Sequence, residues 1–222
     1  MKKMSFTLAM ALPVLVACAG PLGAEEFEDA AIHLERNVTD DDAEAVIFVK
    51  TEESGLASLL IIAPTGRRIG RFDSNNRKSL GAREILLESP EPSPAAVLAA
   101  YPEGNYRIIG VTFDGEEMRA RAELSHDFPD PAHVTFPAEG ATVPAAGLVI
   151  EWDPVAGVEG YFLELEQEDL ELVLEVNLPD TATSFSPPAG WLVAGSEYVL
   201  GIGTLGENGN RTFIESTFNV AE

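Results

Sequence analysis

The sequence predicts an all-β protein of two tandem β-sandwich domains, with one short helix in the first. Three observations carry that expectation. Short β-branched and aromatic runs recur from Ala45 onward, each closed by Gly, Pro, Asn or Asp, which is the pattern of strands ended by turns. One hairpin is specified outright by Asp114-Gly115 between two alternating segments. Near the middle, Pro129-Asp130-Pro131 places two prolines in three residues, a short stiff linker between the halves.

The elements follow in order. Met1-Lys2-Lys3 gives a positive start, and Phe6 to Ala17 is an apolar run broken only by Thr7 and Pro13. The run is too short to cross a bilayer as a helix and matches the apolar core of a signal peptide. Two processing routes fit. Leu22-Gly23-Ala24 offers a cleavage site that would make residues 1–24 the leader. Leu15-Val16-Ala17-Cys18 resembles the lipobox of bacterial lipoproteins, which would end the leader at residue 17. That resemblance implies diacylglycerol on the Cys18 sulfur and a firm anchor of several acyl chains. Ala19 after the cysteine points, by the same resemblance, to the outer membrane. Both routes imply export, to the periplasm, the outer membrane or the outside of the cell.

Without residues 1–24 the chain keeps 37 acidic and 12 basic side chains, a net charge of −25. Nucleic acid is excluded as a partner, because a polyanion needs a basic footprint. Anionic lipid surfaces are disfavoured for the same reason. Cys18 is the sole cysteine, so no disulfide and no thiolate zinc site are available, and the fold must rest on its apolar core.

Residues 25–44 are acid-rich, end in Asp40-Asp41-Asp42 and read as an acidic tether. Residues 45–131 form the first domain. Its strands are the runs AVIFVK (45–50), LASLLIIA (56–63), RRIGRF (67–72) and REILLE (83–88), then Asn105 to Phe113 and Met118 to Ser125. The last alternates Met118, Ala120, Ala122 and Leu124 against Arg119, Arg121 and Glu123, one dry face and one wet. The Asp114-Gly115 turn between the last two is expected to be type I′. The helix is expected over 93–101, with Ser93 as its cap and Pro94 at the first helical position.

Residues 132–222 form the second domain, with strands at 133–136, 148–152, 160–166, 171–177, 184–185, 197–205 and 211–220. Trp152 lies on the second of these with Pro154 after it, and Tyr161 opens the third. Leu192, Gly195 and Tyr198 stand at the bend into the sixth, and Gly206-Glu207-Asn208-Gly209 turns the last hairpin. Together these residues resemble a fibronectin type III domain. The resemblance covers about ninety residues and implies a seven-stranded sandwich, with Trp152, Tyr161, Leu192 and Tyr198 as its structural core and Tyr198 as a tyrosine corner. The first half has no equally clear match; its YPEGNYRIIGVTFDGE segment resembles the last hairpin of immunoglobulin-like or transthyretin-like sandwiches.

Chemistry-bearing patterns are sparse. There is no Gly-x-Ser-x-Gly elbow and no EF-hand loop. His33, His126 and His133 lack metal-ligand spacing and read as exposed residues of the tether and linker. Glu164, Glu166 and Glu168 alternate on one face, either a calcium-binding ladder or, as we read it, a solvated sheet face beside inward Leu163 and Leu165. Trp191 sits in the bend before Leu192 and is the candidate ligand-binding residue, a platform for a sugar or partner; the competing reading is a plug at the base of the sandwich.

The expected function is a non-catalytic exported envelope protein acting as a binding, adhesion or spacer module. No metal or cofactor is expected, and the partner is an unidentified envelope protein or glycan. The alternatives are a carbohydrate-binding module centred on Trp191 and an accessory subunit of an exported enzyme. The fold alone does not choose among them.

Overall fold

The structure, a computed structural model, describes residues 26–74 and 80–222. The leader and Cys18 lie outside them, so the processing expectation is not addressed. The chain forms two compact units.

The first unit comprises residues 26–34 and Ala43–Asp127. Its strands are β1 (Asp29–Asn37, the last three residues of which belong to the second unit), β2 (Asp42–Lys50), β3 (Leu56–Ile62), β4 (Arg68–Asp73), β5 (Glu84–Glu88), β6 (Gly104–Thr112) and β7 (Glu117–Leu124). A helix, α1 (Pro94–Ala100), joins β5 to β6. The sheets are β1-β2-β5 and β4-β3-β6-β7. The alternation read in Met118–Leu124 is present: Met118, Ala122 and Leu124 are buried and the charged residues between them exposed.

The acidic tether is a correction. Residues 29–37 and 42–50 are strands, because Ile32 and Leu34 bury one face of the first run and Ala45, Val46, Ile47 and Val49 fill the second. What looked like a solvated acid run is the turn joining them. The Asn37 side-chain carbonyl accepts the backbone N–H groups of Thr39 and Asp40, and Asp41 takes φ 55°, a left-handed conformation that Asp tolerates. His33 is buried in β1, not exposed in a tether.

The Asp114-Gly115 turn is also corrected. Only Gly115 has positive φ, whereas a type I′ turn needs two such residues. Gly115 N–H bonds the Thr112 carbonyl and Thr112 N–H bonds the Glu116 carbonyl, a three-residue loop closed by a left-handed glycine. Pro64-Thr65-Gly66 and Glu207-Asn208-Gly209 close their hairpins in the same way. The helix forms with Pro94 first, but the Ser93 side chain makes no capping bond.

Tyr106, fully buried near the start of β6, donates its hydroxyl to the Pro102 carbonyl at 2.9 Å. Burial pushes its phenol up to about 12.

The second unit comprises Phe128–Glu222 together with Glu35–Asp42. Its strands are β8 (Val134–Phe136), β9 (Ala141–Val143), β10 (Ile150–Trp152), β11 (Val158–Gln167), β12 (Leu172–Pro179), β13 (Ser184–Phe185), β14 (Glu197–Gly206) and β15 (Arg211–Val220). One sheet is β13-β10-β8 and the other runs β12-β11-β14-β15, the fibronectin type III-like sandwich the resemblance implies. β9, not expected from sequence, pairs parallel with the end of β15. Trp152, Tyr161, Leu163, Leu165, Leu192, Tyr198, Leu200, Ile202 and Phe218 form the core. Trp152 meets Tyr161 with ring centroids 5.6 Å apart, and the Tyr161 hydroxyl accepts the Val155 N–H at 2.8 Å. The Tyr198 hydroxyl accepts the Val193 N–H at 2.9 Å and points back to the Trp191 carbonyl at 3.5 Å, a tyrosine corner. Among the described residues no helix is long and apolar enough to cross a membrane.

Candidate binding face

The outward face of β12-β11-β14-β15 carries a row of carboxyl-bearing residues. Strand register fixes its layout. Glu164 of β11 stands opposite Glu175 of β12 on one side and Gly201 of β14 on the other, and Gly201 stands opposite Glu215 of β15. A row of three carboxyl-bearing residues therefore crosses the sheet, with a glycine gap in the middle. The next row sets Phe162 opposite Gly203 and Gly203 opposite Phe213. Phe213 lies over Gly203, where a Cβ would run into its ring, and meets Phe162 edge-on with centroids 6.2 Å apart.

Glu164, in the row beside these rings, is only 3% exposed. The expectation of a solvated face fails at this residue. Burial, then the neighbouring charge of Glu175 and a hydrogen bond shared with it, push the Glu164 carboxyl up to about 8, with Glu166 and Glu215 adding to the shift. Two carboxyl groups can share such a bond only if one of them keeps its proton. Glu215 is raised mainly by burial, although it accepts the Asn37 amide at 2.6 Å. Glu166 is raised by burial and by Glu168. Glu168 is not on the strand; it opens a 3-10 turn, Glu168–Leu170, and is exposed. No group of three potential metal ligands occurs among the described residues.

Charge outside the row points the same way. Phe128–Glu222 carries sixteen acidic residues and a single basic one, Arg211. Arg211 is itself buried and paired with Glu35 at 2.9 Å. This stretch therefore exposes no Lys or Arg side chain. Ala43–Asp127, by contrast, has thirteen acidic and ten basic residues.

The two edges of the sheet differ. Along β15 the outer edge is closed. Glu35–Asn37 pair parallel with Arg211–Phe213, and Val38 N–H bonds the Phe213 carbonyl. Glu215 N–H bonds the Thr39 hydroxyl, and Thr217 N–H bonds the Glu139 carboxylate. Burial pushes Glu139 up, but that N–H and the Ser216 and Thr217 hydroxyls outweigh it and hold the carboxyl below its ordinary value. β12, at the opposite edge, pairs only with β11 among the described residues.

The sequence-predicted site residues fall elsewhere. Trp191 is half-buried, packed on the core, with its ring 5.4 Å from Tyr198. Nε2 of His126 donates to the Tyr101 carbonyl at 2.8 Å. Nδ1 of His133 lies 2.8 Å from the Asp153 carboxylate at the surface. Sequence reasoning missed the carboxylate row because it joins strands across the sheet. The one signal available was a Glu on β11 paired by register with a Glu on β12.

No protein-family model matches the sequence, and no curated protein matches it. Solved structures it is similar to include a two-domain fibronectin type III segment of chicken tenascin, at 11% identity and TM-score 0.31, over 88% of this chain and 98% of that one. Another is part of a 1.5-MDa bacterial ice-binding adhesin, at 9% identity and TM-score 0.30, over 89% of this chain and 66% of that one. A third is the BSP domain of a biofilm-associated protein, at 17% identity and TM-score 0.28, over 87% of this chain and 29% of that one. The chain spans less than two thirds of the length of the last two. The fold itself rests on strand pairing and the two tyrosine contacts: an all-β chain of two sandwiches, the second fibronectin type III-like.

Proposed function

We propose that this chain is a non-catalytic exported protein of the cell envelope that binds a partner through its second sandwich. The observation that supports the reading best is the surface of that sandwich. From Phe128 to Glu222, sixteen acidic residues surround one buried base, beside a sheet edge left open. Such a field steers and selects a partner of opposite charge. The apolar leader and the Cys18 motif support export.

The test is made in the cell that produces the protein. Fractionation with intact-mass analysis should find a processed chain, beginning at an acylated Cys18 or at Glu25, in the envelope. A photo-crosslinker at an outward position of the second sandwich, such as Val199, should trap one partner. An unprocessed chain in the cytoplasm would overturn the reading. Substrate turnover that depends on a carboxylate of the row would also overturn it, in favour of an enzyme.

A further inference from the structure

We infer that β12 is a docking edge for an extended segment of a partner protein in which apolar residues alternate with Lys or Arg. This names the partner chemistry for the binding reading above and rests on it.

β12 has the geometry of an acceptor. It pairs with β11 without a register shift over eight residues, from Gly160↔Pro179 to Gln167↔Leu172. Its other side has no strand partner among the described residues, while the opposite edge of the same sheet is closed by Glu35–Asn37, Thr39 and Glu139. A long regular edge presents a row of unpaired backbone groups and is a ready template for another strand. Apolar side chains are exposed beside it: Leu170 at 50% and Val173 at 53%.

β12 is also lightly guarded. Charged side chains, lysine above all, with proline and bulges, keep natural edges from pairing, and on β12 these amount to Glu175 and the terminal Pro179. β4 occupies the same place in the first sandwich, at the end of the sheet next to β3. It carries Arg68 and Arg71, follows Arg67, and shifts register against β3 between Ile61 and Ile62. β12 has no basic residue, no bulge, and no proline before Pro179 at its end.

Charge chooses the occupant. A second copy would bring another sandwich with the same sixteen acids and the same buried base, and the two would repel. A basic strand is attracted instead. Side chains of an added strand alternate between faces. One set would lie beside Glu175, with Glu164 and Glu166 behind it on the outward face. The other would extend the apolar side formed by Leu174, Val176 and Leu178. Main-chain bonds then provide affinity and the alternation provides specificity.

The experiment uses the full chain and two acetylated octapeptides at physiological salt. One alternates lysine with valine. The other alternates lysine with proline, which keeps the charge but cannot join a sheet. Calorimetry should show the Lys-Val peptide binding at least tenfold more tightly, with amide shifts confined to 172–179 and the facing strand. Val173→Lys, a surface change that should leave the fold intact, should weaken binding at least tenfold. Val149→Lys, adding the same charge just before β10, should change it less than twofold. Equal binding of the two peptides, or equal effects of the two substitutions, would reduce the attraction to diffuse charge and overturn the inference. A dimer that Val173→Lys dissociates would give the edge to a second copy and would overturn it too. An envelope protein with a crosslinked partner that ignores the Lys-Val peptide refutes only the partner chemistry; an unprocessed cytoplasmic chain that still binds it at β12 refutes only the envelope reading.

Discussion

Each sandwich buries one tyrosine at the start of its penultimate strand and turns the phenol back on the preceding bend. Tyr106 donates to the Pro102 carbonyl, and Tyr198 accepts the Val193 N–H. Each orders three of its strands on one side and four on the other with the same connections, β1-β2-β5 and β4-β3-β6-β7 in the first, β8-β10-β13 and β12-β11-β14-β15 in the second. The outward residues do not follow this agreement. Ala43–Asp127 balances thirteen acids with ten bases, whereas Phe128–Glu222 sets sixteen acids against Arg211 alone. Inward side chains and turn glycines therefore hold the plan, and the outward faces are free to diverge. In the second sandwich that freedom has produced a buried Glu164 facing a half-buried Glu175, and an edge without a basic guard.

Tryptophan fluorescence separates the two experimentally, since Trp152 and Trp191, the only tryptophans, both lie in the second. The largest effect expected is in its core. Leu163 is fully buried, so Leu163→Ala should destabilise the tryptophan-reported transition by about 3 kcal/mol in urea titration. A loss under ~1 kcal/mol would mean the inward face does not hold the plan.

The carboxyl pair should give the next largest. Glu164 in the folded state sits near 8, above its ordinary 4.5, so between those values the folded chain holds a proton that the unfolded chain has released. The stability this contributes is complete below pH 4.5 and is lost as pH rises through 8. The second sandwich should therefore be weaker at pH 8 than at pH 5 by about 2 kcal/mol, within the ~1.4 kcal/mol per unit that one proton allows. Glu164→Gln should flatten that slope. A slope of opposite sign would show the carboxyl ionised in the folded state.

Tyrosine corners come third. Tyr198→Phe strands the Val193 N–H and should cost about 1–2 kcal/mol, more than Tyr106→Phe, which leaves only a carbonyl short of one donor. Equal losses would say that the two corners are energetically alike. Smallest is salt. Screening should stabilise the acidic second sandwich by less than about 1 kcal/mol and leave the balanced first one nearly unchanged.

Much of this was legible in the sequence. The alternation of Met118–Leu124 and the helix after Ser93 depend on local spacing, and each is found where spacing puts it; Trp152, Tyr161 and Tyr198, which the fibronectin type III resemblance implied, lie in the core of the second sandwich. Residues 29–44 were misread because acid content hid the inward Ile32 and Leu34. The role of Asn37 and Thr39 was hidden too, since their partners on β15 lie about 175 residues further along the chain. Glu164 deceived for a related reason. Its alternation with Leu163 and Leu165 correctly placed it outward, but its neighbours across the sheet, Glu175 on β12 and Gly201 on β14, come from other strands, and there it is only 3% exposed.

Everything proposed for the second sandwich depends on one of its sheets having a closed edge and an open one. Residue-resolved amide hydrogen exchange on the full chain reads both edges at once. Exchange should be slow at Glu215 and Thr217, whose N–H groups bond Thr39 and Glu139, and fast at alternate amides of Leu172–Leu178 that face away from β11. Uniform protection along β12 in the isolated protein, or fast exchange at Glu215 and Thr217, would contradict it.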